Sequence, residues 1–161
     1  MNYHKYPEKG LGTYGYTWSG YPASNADFGS TTYNWANMSY SISTQNDDIA
    51  TLMYQAAVSC RSRWGPGSTG VAYLNNEAPM TRALVNYFGY AFAPLQFVSK
   101  ASYSDTDWEA LIQNELSNNR PVYFRGDGVG SHAWVCDGYD GAGMYHFNWS
   151  RWIYSWRSRG Y

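Results

Sequence analysis

Three stretches of the chain carry apolar residues at helical spacing, and the stretches around them alternate apolar with polar positions. After Asn46 or Asp47, the residues Ile49, Leu52, Met53, Ala56 and Ala57 recur at the period of one helix face. Asn or Asp at that point accepts a hydrogen bond from an orphan N–H of the first turn, so it marks the start. This helix ends by Arg61, because Gly65-Pro66-Gly67 cannot continue it and instead reads as a surface loop. A second helix is signalled by Asn76 as cap, Pro79 in the first turn, and Met80, Ala83, Leu84, Tyr87 and Phe88 on one face before Gly89. A third starts at Ser104 or Asp105, with Asp107 and Glu109 suiting its positive end. Trp108, Leu111, Ile112, Glu115 and Leu116 trace its stripe, and all but Glu115 are expected to face a core.

The other stretches predict strands. Residues 9–40 are rich in Gly, Tyr, Ser, Thr and Asn, and Thr13-Tyr14-Gly15-Tyr16-Thr17-Trp18 alternates as short strands do. After Arg120-Pro121 come Val122-Tyr123-Phe124, then His132-Ala133-Trp134-Val135, then Met144-Tyr145-His146-Phe147-Asn148-Trp149. Glycine-rich turns are expected between them at 126–130 and 140–143. Helices first and an antiparallel sheet last predict an α+β fold, and 161 residues suffice for one domain, or most of one.

Composition narrows the function classes. Apolar residues make up 44% and charged residues 14%, which excludes a charge-driven disordered chain. The net charge of −1 favours neither nucleic acid nor an anionic membrane as partner, and no apolar run is long enough to span a bilayer. The aromatic share of 19% exceeds the needs of one small core, so many rings are expected near the surface, where Tyr and Trp suit peptide or glycan contact. Cys60 and Cys136 lack zinc-ligand spacing and are too few for a disulfide scaffold. Residues 1–9, polar and aromatic, do not read as a signal peptide.

Among the three histidines, His4 and His146 read as structural, since His is commonly an intermediate, partly buried residue. His132 opens an aromatic strand after Gly126-Asp127-Gly128-Val129-Gly130-Ser131, where a loop gives a substrate close access to backbone. Neutral imidazole is a general base near neutral pH when another group fixes its tautomer and an apolar neighbour limits solvent. Asn148 and Trp149, on the next strand, are suited to those two tasks.

The residues also match a known pattern. Met1-Asn2-Tyr3-His4-Lys5-Tyr6-Pro7 with Lys9-Gly10-Leu11 resembles the segment after the catalytic cysteine helix of the streptopain family of bacterial papain-like cysteine peptidases. The likeness continues through Gly65-Pro66, Asn86-Tyr87-Phe88-Gly89-Tyr90, Asp107-Trp108-Glu109, Pro121-Val122-Tyr123, His132-Ala133 and Tyr145-His146-Phe147-Asn148-Trp149, in order and with matching spacing. It implies a papain-like α+β fold over residues 1–149, without the N-terminal catalytic helix. It makes His132 the catalytic histidine, Trp149 the indole that shields it and Asn148 the neighbour that holds it. Gly65, Gly67, Ser68 and Thr69, with Gly130 and Ser131, fall at the substrate cleft. The implied activity is endopeptidase cleavage by thiolate attack on a peptide or protein substrate, with no cofactor. For a full-length parent it also implies secretion and an inhibitory propeptide.

The chain departs from that pattern at both ends. The family's nucleophilic cysteine and oxyanion glutamine precede the position of Met1, so the chain alone is expected to be inactive. Residues 150–161 diverge, as a shifted reading frame, a broken gene end or a short basic tail would. Cys136 cannot replace the nucleophile: four residues along one strand separate it from His132 by about 13 Å. A thiol–imidazole pair needs roughly 3 to 3.5 Å. Cys60 ends a helix and is expected to be simply buried. The alternative reading is a non-catalytic, aromatic-rich module that holds peptide or glycan without cutting it.

Overall fold

The computed structural model describes residues 1–65, 69–71, 79–93, 95–128, 130–148 and 156–157. The chain forms two compact units, Met1–Phe97 and Val98–Tyr161, each with a core of its own. The aromatic surplus is what allows two clusters where composition alone suggested one core.

In the first unit β1 (Thr13–Tyr16) pairs antiparallel with β2 (Ser24–Asp27), as the tyrosine-rich alternation predicts. Helix α1 (Asp47–Ser59) follows, and Asn46 caps it, its side-chain oxygen accepting from the Ile49 N–H at 3.0 Å. A short hairpin joins β3 (Arg63–Trp64) to β4 (Thr69–Gly70). Helix α2 (Pro79–Phe88) stops at Gly89, whose φ of +66° suits glycine. The expected cap Asn76 lies outside the described residues. Phe28, Tyr33, Trp35, Met38, Val58 and Phe88 form the buried centre, with Phe28 stacked on Tyr87 at 4.7 Å.

The buried face of α1 differs from the expected one. Met53 is 67% exposed, whereas Gln55, Val58 and Ser59 are buried; Ile49, Leu52 and Ala56 pack at the margin. Gln55 can turn inward because both ends of its amide are satisfied. The Tyr33 O–H donates to its Oε1, and its Nε2 donates to Thr31 Oγ1 at 2.7 Å. Burial also pushes the Tyr33 phenol up to about 12.

In the second unit α3 (Asp105–Ser117) starts at Ser104, whose Oγ accepts from the Asp107 N–H at 3.1 Å and donates to Asp107 Oδ2 at 2.6 Å. At its other end Arg120 donates twice to the Glu115 carboxylate, at 2.7 and 2.8 Å, which holds that carboxyl below its usual range. Four antiparallel strands follow in the order β5 (Val122–Gly128), β6 (Gly130–Tyr139), β7 (Met144–Asn148) and β8 (Trp156–Arg157). Ile112 packs with Trp108 and Leu116 of α3 against Val122, Phe124, Cys136, Tyr139, Tyr145 and Phe147 of the sheet. A bulge between Cys136 and Gly138 adds one residue to β6. That insertion is why Cys136 and Tyr139, three apart, both reach the core face.

Within the glycine-rich segment, residues 126–128 and 130 are strand, not the expected loop. The β5–β6 ladder runs on through Gly126↔His132 and Asp127↔Ser131 to Gly128↔Gly130. Gly126 makes room across the sheet: a Cβ there would lie 2.7 Å from the edge of the Trp134 indole. Among the described residues no helix is long and apolar enough to cross a membrane.

Two substitutions test these packing arguments. Asn46→Ala removes the α1 cap and lowers unfolding free energy by about 1 kcal/mol, read from the urea midpoint at unchanged m-value. Gly126→Ala forces the Trp134 ring to move, costing about 1 to 3 kcal/mol and changing the near-ultraviolet circular dichroism of the folded state. An unaltered spectrum and midpoint would mean that the indole does not cover Gly126.

Candidate active site

His132 sits inside β6 as its third residue, opposite Gly126. It is exposed to solvent. Its ring stacks beside Trp134 at 6.3 Å with 19° between planes, and Trp134 in turn lies flat on Phe124 at 5.9 Å and 2°. Phe124 is held edge-on by Trp108 of α3 and by Phe147 of β7, both at 6.1 Å. The imidazole is thus the outermost ring of a row anchored in the core. An exposed edge accepts or gives a proton, while the indole beside it restricts the ring to few orientations.

Asn148 ends β7, the strand next to that of His132, and pairs with Val135. Strand alternation puts Trp134, Cys136 and Phe147 on the α3 side, so Val135 and Asn148 leave from the other. The ladder therefore brings Asn148 to the neighbouring strand, as expected, but presents its side chain on the face opposite Trp134. Trp149 lies outside the described residues.

The expected cleft residues fall in two groups. Gly65 follows β3, and Thr69, exposed in β4, pairs with Trp64; both belong to the first unit, and Gly67 and Ser68 between them lie outside the described residues. Gly130 and Ser131 begin β6 in the second unit, directly before His132. His146, expected to be partly buried, is exposed, and its Nδ1 meets Asp137 Oδ1 at 2.5 Å across the bulge. A free side-chain partner on the bulged strand is what lets it remain at the surface.

Both cysteines are buried and free. Cys136 is wholly inaccessible, and burial pushes its thiol up to about 11. Cys60, at the C-cap of α1, is shifted upward by the same cause, offset in part by the Ser59 hydroxyl and by Arg82. The thiolate is the reactive form, so neither is suited to attack a carbonyl. Among the described residues no three His, Cys, Asp or Glu side chains gather to hold a metal ion.

Reading the sequence alone missed the Phe124–Trp134 stack and the role of Gly126. The signal was present: Phe124-x-Gly126 and His132-x-Trp134 mirror one another about the 128–130 tip, so pairing them in register sets ring on ring and ring on glycine.

Comparison with known proteins places this geometry. The Peptidase C10 family model matches residues 1–152, three residues beyond the expected limit at 149. Streptopain of Streptococcus pyogenes is 40% identical over 92% of this chain and 39% of its own length. The thiol protease/hemagglutinin PrtT of Porphyromonas gingivalis is 32% identical over 92% of this chain and 18% of its own length. Thus the chain spans about two-fifths of the streptopain it matches. The active wild-type interpain A cysteine protease of Prevotella intermedia has a similar structure, with TM-score 0.78, 32% identity, and coverage of 93% of this chain and 65% of that one. A mutant prointerpain A fragment from the same organism gives 0.77, 33%, 92% and 48%. With a papain-like α+β fold, matched family residues from 1 to 152 and a histidine held at the sheet's exposed ring row, the chain belongs to the Peptidase C10 family.

Proposed function

We propose that this chain supplies the histidine side of a cysteine endopeptidase site, with His132 as general base and then general acid. The observation that carries the reading is the placement of His132 on a continuous ladder, solvent-exposed yet fixed by Trp134 and Phe124. In the reaction His132 takes the proton of a cysteine thiol, the thiolate attacks the peptide carbonyl, and the imidazolium returns the proton to the leaving amine. Trp149 shields the imidazole, and Asn148, whose side chain leaves the other face of the sheet, steadies it through the β6–β7 pairing. Gly65, Gly67, Ser68 and Thr69, together with Gly130 and Ser131, contact the peptide. No cofactor takes part.

The thiolate comes from polypeptide outside these 161 residues, because Cys60 and Cys136 are both buried away from substrate and burial shifts both thiols upward. Residues 1–149 are the peptidase portion and 150–161 a divergent tail. We further propose that the parent polypeptide is exported and held inactive by a pro-segment, a reading supported by the pro-form of interpain A.

Thiol labelling checks the cysteine assignment. At pH 8 the native chain reacts with a disulfide reagent at neither Cys60 nor Cys136, and both react once it is denatured. Prompt labelling of one native thiol would reopen that residue as nucleophile. The proposal itself is tested by joining the chain to the segment of streptopain that precedes the matched region. Hydrolysis of a fluorogenic peptide, sensitive to iodoacetamide, is expected. His132→Ala lowers kcat/KM by about a thousandfold or more, with smaller losses for Asn148→Ala and Trp149→Ala. Activity undiminished in His132→Ala would overturn the assignment.

A further inference from the structure

All three arginines of the first unit lie over aromatic rings: Arg61 over Trp18 at 4.8 Å, Arg63 over Tyr21 at 5.6 Å and Arg82 over Tyr14 at 6.0 Å. Tyr14 and Trp18 flank the buried Tyr16 along β1 and the turn after it, at 5.9 and 6.4 Å, so Arg82 and Arg61 cap the two ends of one row of rings. None of the three guanidiniums makes an ion pair or hydrogen bond with a described residue. The unit's three aspartates are engaged elsewhere: Asp48 by Asn34 and Asn37, Asp47 by Gln45, and Asp27 by the Ser30 N–H. By contrast Arg120 of the second unit is doubly bonded to Glu115.

A second, independent observation concerns the nitrogens. Nε of Arg61, Nε of Arg82 and Nε1 of Trp18 are buried without an acceptor, whereas the outer Nη nitrogens of the two arginines are not. The Nε edge of both guanidiniums is therefore buried beside a ring, and the Nη edge meets no acceptor among the described residues. Arg61 is also held at φ +56°, the left-handed position that usually carries glycine after a helix. Its guanidinium reaches Trp18 from a backbone conformation that a side chain does not favour.

We infer that Arg61, Arg63 and Arg82 form an anion-binding face that takes carboxylate side chains of an acidic peptide. The ring beside each guanidinium limits its orientations, and a planar carboxylate matches the fork with two parallel hydrogen bonds. Arg63 lies on β3, at the base of the hairpin that carries the proposed peptide-contacting residues Gly65 and Thr69. The inference deepens the peptidase reading by naming acidic side chains as a preferred feature of the bound polypeptide. A nucleic acid fits less well: the ring faces that would stack on bases already hold guanidiniums, and three arginines neutralise few phosphates.

The test is direct binding of a dye-labelled Glu-Gly repeat peptide to the 161-residue chain by fluorescence anisotropy, beside its Gln-Gly counterpart. The acidic peptide is expected to bind about tenfold more tightly or better, and to weaken as salt is raised. Arg61→Gly relieves the left-handed position, so its Tm is unchanged or higher while acidic-peptide affinity falls about fivefold or more; Arg63→Gln lowers it further. Equal affinity for the two peptides, unchanged affinity in Arg61→Gly, or no binding of the acidic peptide at about 1 mM would overturn the inference. Equal affinity would do so while leaving the peptidase reading intact, since His132→Ala in the joined enzyme tests that reading separately.

Discussion

The stack of Trp134 on Phe124 is the contact on which the second unit depends. The two residues are register partners, and their rings lie 5.9 Å apart and nearly parallel. A slip of one residue would send every side chain of β6 to the wrong face, so this pair, with Phe124 wedged between Trp108 and Phe147, sets the register of the hairpin against α3. The same register lays the indole over Gly126 and leaves His132 as the next ring outward. Packing in the core thereby fixes the position of the one exposed histidine that the family resemblance marks for chemistry.

The first unit solves a different problem with the same residue types. Its rings form a buried centre around Phe28, Phe88 and Val58, while its polar groups are drawn inside only where partners exist, as with Gln55 between Tyr33 and Thr31. The guanidiniums at its margin lack such partners among the described residues. Aromatic surplus thus serves two purposes here: it closes a core, and it holds cations ready at the surface.

Much of the architecture was legible in the residues. The caps at Asn46 and Ser104 are found where a short polar side chain precedes an apolar period, because local hydrogen bonding alone decides them. The α3 stripe of Trp108, Ile112 and Leu116 is likewise found as expected. The α1 stripe is not: a glutamine reads as surface until its two tertiary partners, 22 and 24 residues away, are known, and Met53 reads as core. Glycine at 126 reads as a turn because its reason lies on another strand, in the volume of the Trp134 indole. His132 was placed at the head of a strand by its residues and given its role by family resemblance; that the ladder continues past it to Gly128↔Gly130 follows from that long-range packing.

Amide hydrogen exchange, followed residue by residue by NMR, examines the claim that His132 is held within a rigid ladder. The ladder amides of β5 and β6 on either side of His132 are expected to exchange as slowly as those of α3, in one cooperative unit. Exchange of the 126–132 amides at rates typical of an open loop, with α3 still protected, would contradict it.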